Sequence, residues 1–317
     1  MDDYNETPVQ FGPDGSLIGI ITTPGDGPMA PVACILMNMG AIHRIGPRRA
    51  NVKLARQMAA RGISSIRVDL AGLGDSRPAS ETADFRTQAV LDVQAAMNLV
   101  GTMLGVHRFV LIGLCSGAHN GLSIAVADPR LVGLLMFDGP NFPGRRARWE
   151  RSLHRALADP KPGAFFGRVV GVIRRTLLPA QQQQPAGNQN IFDSTGPRDS
   201  ADYFCRSMNL LAERGVATMM FFTGSVQAKD RRRDLLGPFG KEPFARQLEY
   251  RFVAEIDHGL TSQASQQTFM NLVCDWALRV IHGDGSAPAQ SAAAGGQPGR
   301  GTRPSPSLAT KLEHVGS

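Results

Sequence analysis

The chain is 317 residues long, 42% hydrophobic and 19% charged, which allows one large domain of about 250 residues with a sizeable core and excludes wholesale disorder. No apolar run approaches the roughly 18 residues of a membrane span, and the opening MDDYNETPVQ is polar and acidic, so neither membrane insertion nor export is expected. The net charge of +7 is concentrated, because residues 141–180 alone hold nine Lys or Arg against one Glu and one Asp.

The first predicted elements form a hairpin: Pro8 to Phe11, a turn at Pro13-Asp14-Gly15, then Leu17 to Thr22. Val32 to Met37 reads as a buried strand, and Arg49 to Arg61 as a helix with Val52, Ala55, Met58 and Ala59 on one face, closed by Gly62. Ile63 to Val68 is the next strand, running into the turn-rich Asp69-Leu-Ala-Gly-Leu-Gly-Asp-Ser76. Turn hydrogen bonding is explanation enough for that segment. A long helix is expected over Thr82 to Leu104. Phe109 to Leu114 is a continuous apolar strand that enters Cys115-Ser-Gly and a helix through Ala127. Leu131 to Phe137 is another strand, ending at Asp138-Gly139-Pro140. A helix from Ala201 to Arg214 stops at Gly215, Val216 to Phe222 and Leu248 to Ala254 are the last strands, and Thr261 to Ile281 is the closing helix. Continuous apolar strands alternating with helices predict an α/β domain whose sheet is mostly parallel and covered on both faces.

Two segments break the rhythm. Residues 141–199, basic and carrying Gln181-Gln-Gln-Gln184, read as a helical cap inserted into a core made of residues 1–140 and 200–282. Residues 283–317, rich in Ala, Gly, Pro, Ser and Gln, are expected to form a disordered tail.

Gly113-Leu-Cys115-Ser-Gly117 lies between a buried strand and a helix, where its glycines permit the sharp turn of a nucleophile elbow, with Cys in the usual place of Ser. With 35 Gly and four Cys in 317 positions, chance flanking of a cysteine in this way is expected only about 0.05 times. A sulfur at a helix start, beside a histidine, gains thiolate character. The required base comes last in the chain, after the final strand, where His258 follows Glu255-Ile-Asp257. His43 falls on the oxyanion side and His119 is expected buried within the helix after the elbow. Two aspartates satisfy the order nucleophile, acid, base: Asp138 at a strand terminus, and Asp230 within the charged run Lys229-Asp-Arg-Arg-Arg-Asp234, which reads as solvated surface. The firm footing of a strand terminus favours Asp138. Oxyanion donors map to the backbone of Ser116 and of Gly40 or Ala41. Cys34, Cys115, Cys205 and Cys274 are far apart with no CxxC pair, so neither a disulfide framework nor a zinc ribbon is expected, and a reducing cytoplasm fits. No metal and no cofactor is called for.

The elbow, the Asp69 to Ser76 turn and Asp257-His258 together resemble the α/β-hydrolase superfamily over most of residues 8–282. More narrowly, His43-Arg-Ile-Gly-Pro-Arg48 and Leu114-Cys-Ser-Gly-Ala118 resemble the serine-aminopeptidase-like hydrolases encoded beside exosortase and exopolysaccharide systems. That resemblance implies an elbow able to carry Cys and an acid directly after the following strand.

The expected function is covalent acyl catalysis through a Cys-His-Asp triad, as a thioesterase or esterase or as an acyltransferase. A thiol favours thioester donors, since sulfur-to-sulfur exchange is nearly balanced while loading from a simple ester is uphill. The substrate is expected to be a small-molecule or carrier-bound acyl group, whose phosphates Arg145, Arg146 and Arg148 of the cap would meet unless those arginines form a solvated helix face. Nucleic acid is not an expected partner, because only three Tyr and two Trp occur and none interleave with basic residues to stack bases. The alternative is a non-catalytic hydrolase-fold scaffold whose basic insertion binds an acidic partner.

Overall fold

The computed structural model describes residues 4–79, 83–158, 197–226, 229–231 and 233–283. The Gln181 to Gln184 tract, most of the expected cap and nearly all of the expected tail lie outside the described residues. The strands are β1 (Tyr4–Phe11), β2 (Leu17–Pro24), β3 (Val32–Met37), β4 (Ser65–Asp69), β5 (Arg108–Leu114), β6 (Leu131–Phe137), β7 (Ala217–Thr223) and β8 (Glu249–Val253). The α-helices among the described residues are α1 (Ala50–Ala59), α2 (Phe85–Leu104), α3 (Ser116–Ala127), α4 (Arg145–Ala158), α5 (Pro197–Glu213) and α6 (Gln263–His282).

The strands form one eight-stranded sheet in the order β1-β2-β4-β3-β5-β6-β7-β8. β2 runs antiparallel to both β1 and β4, and every other pairing is parallel. From β3 the chain builds first towards β4 and then, through β5, in the opposite direction, so β3 and β5 meet where the winding reverses. In open α/β sheets such a reversal leaves a crevice at the strands' C-terminal ends.

Side-chain alternation along the strands divides the core in two. Cys34, Leu36, Val110 and Ile112 pack with Leu54 and Met58 of α1 and Phe269, Val273 and Trp276 of α6. Their neighbours Ile35, Leu111 and Leu134 pack with Val93 and Met97 of α2, Leu122 of α3 and Phe204 and Met208 of α5 on the other face. This is why β3 and β5 read as unbroken apolar runs: both faces are covered.

The strands and helices expected outside the cap and tail are all present, with shifted ends. α2 starts at Phe85 rather than Thr82 because the Asp84 carboxylate accepts from the N–H groups of Arg86 and Thr87 at 3.0 and 3.1 Å, capping the helix. α5 begins earlier than Ala201, at Pro197, a residue suited to a helix's first turn.

Candidate active site

Cys115 sits between β5 and α3 with φ 54° and ψ −109°, a conformation that costs a non-glycine residue about 1–3 kcal/mol and is kept only where the surroundings enforce it. The enforcement is visible. The Cys115 N–H donates to the Phe137 carbonyl at 2.8 Å, tying the turn to β6. A Cβ on Gly113 would lie 2.4 Å from the Gly117 carbonyl oxygen, and one on Gly117 would lie 2.6 Å from the Asn38 carbonyl oxygen. Both glycines are therefore demanded by close backbone approach, and the half-buried sulfur is presented at the C-terminal edge of the sheet.

The loop after β8 brings His258 to this edge. Its N–H donates to Ser225 Oγ at 2.9 Å, and its ring stacks on buried Phe137 with centroids 6.3 Å apart. Asp257 stiffens the loop by accepting from Gly259 N–H and from the N–H and hydroxyl of Thr261. His258 Nδ1 lies 2.8 Å from Asp138 Oδ2. The Cys115 sulfur is near enough to the same ring to bear on its protonation. The Asp138 hydrogen bond and then the Cys115 hydrogen bond, against an opposing burial effect, push the His258 pKa up to about 10.

Asp138 is almost wholly buried, its side chain 1% exposed against 39% for His258. Its N–H donates to the Phe221 carbonyl at 2.8 Å, and its backbone adopts φ 45°. Thr223, at the end of β7, donates its N–H to Oδ1 at 2.8 Å and its hydroxyl to Oδ2 at 2.7 Å. The carboxylate thus meets three donors, which fix it against the imidazole. Asp230 is engaged elsewhere. It accepts from the Tyr250 hydroxyl and from Asp234 N–H, and it is half-buried rather than the solvated residue its charged neighbours suggest. Burial and that carboxylate together raise the Tyr250 phenol's pKa.

Ser116 opens α3, so its N–H belongs to the first turn, whose donors have no intrahelical acceptor. Gly40 differs from the expectation of an open donor. Its N–H points at the Ser116 hydroxyl, 2.5 Å away, whereas Ala41 is exposed in the same turn. The turn is anchored from below by Arg44, whose N–H and guanidinium both reach the buried Asp69 carboxylate. Asp69 also accepts from Asp75 N–H at 3.1 Å, so the Asp69 to Ser76 segment is held by turn hydrogen bonds as expected, and holds the β3 loop as well. His43 is exposed.

Two clefts flank the elbow. One is lined by Asn38, Gly40, Asp69, Ser116 and Asn120. The other, about 310 Å³, is lined by His119, Leu122, Pro140, Phe142, Tyr203 and Phe204 among others. His119 is therefore half-buried at a cleft, not sealed in its helix, and its Nδ1 lies 3.1 Å from the Cys115 carbonyl oxygen. Arg145, Arg146 and Arg148 are exposed on α4 and line neither cleft; Arg146 reaches Glu150 at 3.2 Å. Among the described residues no group of three or more His, Cys, Asp or Glu is arranged to hold a metal ion, and no helix is long and apolar enough to cross a membrane.

The sequence reading missed Thr223, Ser225 and Arg44. Thr223 left one trace, a polar residue closing the apolar run Met219 to Phe222. Ser225 and Arg44 act through contacts that cross elements and leave no local pattern.

No curated protein sequence matches the chain significantly. Among solved structures, a protein of unknown function from Agrobacterium tumefaciens, described as an alpha/beta hydrolase, aligns with a TM-score of 0.52 at 14% identity, covering 89% of this chain and 99% of its own. A hypothetical protein from Pseudomonas aeruginosa aligns with a TM-score of 0.52 at 14% identity over 87% and 93%. Brefeldin A esterase, a bacterial homologue of human hormone-sensitive lipase, aligns with a TM-score of 0.52 at 15% identity over 89% and 78%. Identities this low speak for the fold alone. The family model described as "Alpha/beta hydrolase family" matches residues 46–295. With most of its length inside that match, and with the sheet order and helix placement described above, the chain belongs to the alpha/beta hydrolase family.

Proposed function

We propose that the chain is an acyl-transfer enzyme that forms a covalent thioester on Cys115, with His258 moving protons and Asp138 orienting the imidazole. The observation that carries this reading is the 2.8 Å contact of His258 with buried Asp138 beside Cys115, which heads a strained strand-to-helix turn. A cysteine in this place and an acid after β6 also agree with the resemblance to exosortase-linked hydrolases.

In the first half-reaction the Cys115 sulfur, its proton already resting on His258 as imidazolium, bonds to the carbonyl carbon of a thioester or activated ester. The oxyanion is met by the N–H of Ser116 and, from the loop after β3, by that of Ala41, since the Gly40 donor is directed at the Ser116 hydroxyl. Each such donor is worth about 2.7–4 kcal/mol at the transition state. Collapse breaks the bond to the leaving thiol or alcohol, which departs with the proton held on His258. In the second half-reaction the neutral ring takes a proton from water, an amine or an alcohol as it adds to the acyl carbon, and the Cys115 sulfur leaves and is reprotonated. Hydrolysis and transfer differ only in the acceptor.

Intact-protein mass spectrometry after incubation with a panel of acyl thioesters tests this. The expected result is a single acyl adduct, absent in Cys115→Ala and removed by added amine. No adduct from any donor, or the same adduct on Cys115→Ala, would leave a non-catalytic scaffold as the reading.

A further inference from the structure

We infer that the face formed by α4 and the loop after β7 docks a small acidic protein that carries its acyl group as a thioester on a pantetheine-like arm. This rests on the acyl-enzyme reading of Cys115 and names its donor.

Two basic runs far apart in sequence converge here. Glu150 of α4 accepts from Arg146 at 3.2 Å and from Arg231, in the loop after β7, at 2.9 Å. One carboxylate is thus shared by two arginines, and the other acids beside Arg231 are also occupied: Asp230 by Tyr250 and by Asp234 N–H, and Asp234 by Arg231 N–H. Arg145 and Arg148 add exposed charge on the same helix. Among them Trp149 is 46% exposed, whereas Ala147 turns inward. Arginine and tryptophan are the residues most enriched where protein surfaces associate, and clustered charge of one sign speeds encounter with a partner of the other.

Position selects the kind of partner. α4 follows the C-terminal end of β6 and Arg231 follows that of β7, the same sheet edge on which Cys115 and His258 stand. A carrier seated there presents its arm across the elbow. The arm's thioester carbon bonds to the Cys115 sulfur, its carbon–sulfur bond breaks, and the arm leaves as a thiol with the proton from His258. The phosphates of a free acyl nucleotide call for a concave, convergent site, and Arg145, Arg146, Arg148 and Arg231 line neither cleft at the elbow. A bilayer surface calls for several apolar side chains beside the cations, and among the described residues of this face Trp149 is the large one exposed.

The experiment compares Cys115 acylation rates, followed by intact mass, for one octanoyl group presented on a small acidic acyl carrier protein, on free pantetheine and on coenzyme A. The carrier should outpace pantetheine about ten-fold or more at low salt, and that ratio should collapse both at about 0.3 M salt and in Arg145→Glu/Arg146→Glu/Arg148→Glu. A ratio near one, a ratio unmoved in the triple variant, or a charge-dependent preference for coenzyme A over the carrier overturns the docking. If pantetheine and the carrier both fail to acylate Cys115, the acyl-enzyme reading falls. Docking is then decided by the fluorescence anisotropy of labelled carrier: binding lost in the triple variant upholds it, and no binding, or binding kept, refutes it.

Discussion

Cys115 stands apart from the other thiols by its surroundings. Burial pushes the Cys34 and Cys274 thiols up, and partial burial together with the Glu242 carboxylate raises Cys205. Iodoacetamide near neutral pH should therefore alkylate Cys115 well before the other three, as peptide mapping would show; equal labelling of all four contradicts the proposed role. His258 carries a pH signature with a definite sign. Its ring titrates near 6.5 when unperturbed and near about 10 in the fold, held charged chiefly by Asp138 and then by Cys115. Folding thus favours the imidazolium, and the stability it adds is complete below pH 6.5, declines as pH rises, and is gone above about 10. Denaturant midpoints of the native chain and His258→Ala should differ most near pH 6 and converge towards pH 10.5 or so; a constant gap would disprove the linkage. For Thr223, the loss of a hydrogen bond to a charged group predicts that Thr223→Val slows turnover about ten-fold or more while Thr223→Ser restores it. A structural role alone would let Val, the closer match in shape, outperform Ser. At this scale the elbow cysteine and the last-loop histidine were legible because each is defined by neighbours in sequence. The strand terminus already favoured Asp138 over Asp230, but the partners that hold each acid were not legible, because Thr223 and Tyr250 lie 85 and 20 residues away.

At the scale of elements, the strand–elbow–helix unit concentrates the constraint. Gly113→Ala would drive a methyl group to 2.4 Å from the Gly117 carbonyl oxygen, and backbone on both sides leaves no flexible neighbour to yield. We expect a loss of about 1–3 kcal/mol or more, read as a lowered Tm together with lost Cys115 alkylation. An unchanged Tm would mean that the turn is looser than its dihedrals imply. The start of α2 gives a milder test: Asp84→Ala removes the cap and should cost about 1 kcal/mol. Most element positions were legible because buried parallel strands are continuous apolar runs, and helices show three- and four-residue spacing. The ends were less so, since a cap such as Asp84 is decided by one side chain's hydrogen bonds to the two N–H groups that follow it.

At the scale of the molecule, the active edge rests on the core beneath it. Phe137 touches Phe221 and Phe269 at centroid distances of 5.4 and 4.9 Å and supports the His258 ring above. Phe137→Ala should cost about 3–5 kcal/mol of stability, and in whatever folded fraction remains His258 should be displaced, so that turnover falls further than the folded population does. Calorimetry beside active-site titration separates the two losses. The two-faced sheet was legible from alternation; the meeting of α4 with the loop after β7 was not, because nothing in either run names the other. A last consequence follows from how Asp138 is moored. Its amide and its carboxylate are bound to Phe221 and Thr223, so the acid belongs mechanically to the neighbouring strand and owes little to the chain that departs from it at Gly139. Whatever follows can be recut or replaced while Asp138 keeps its place against the His258 ring.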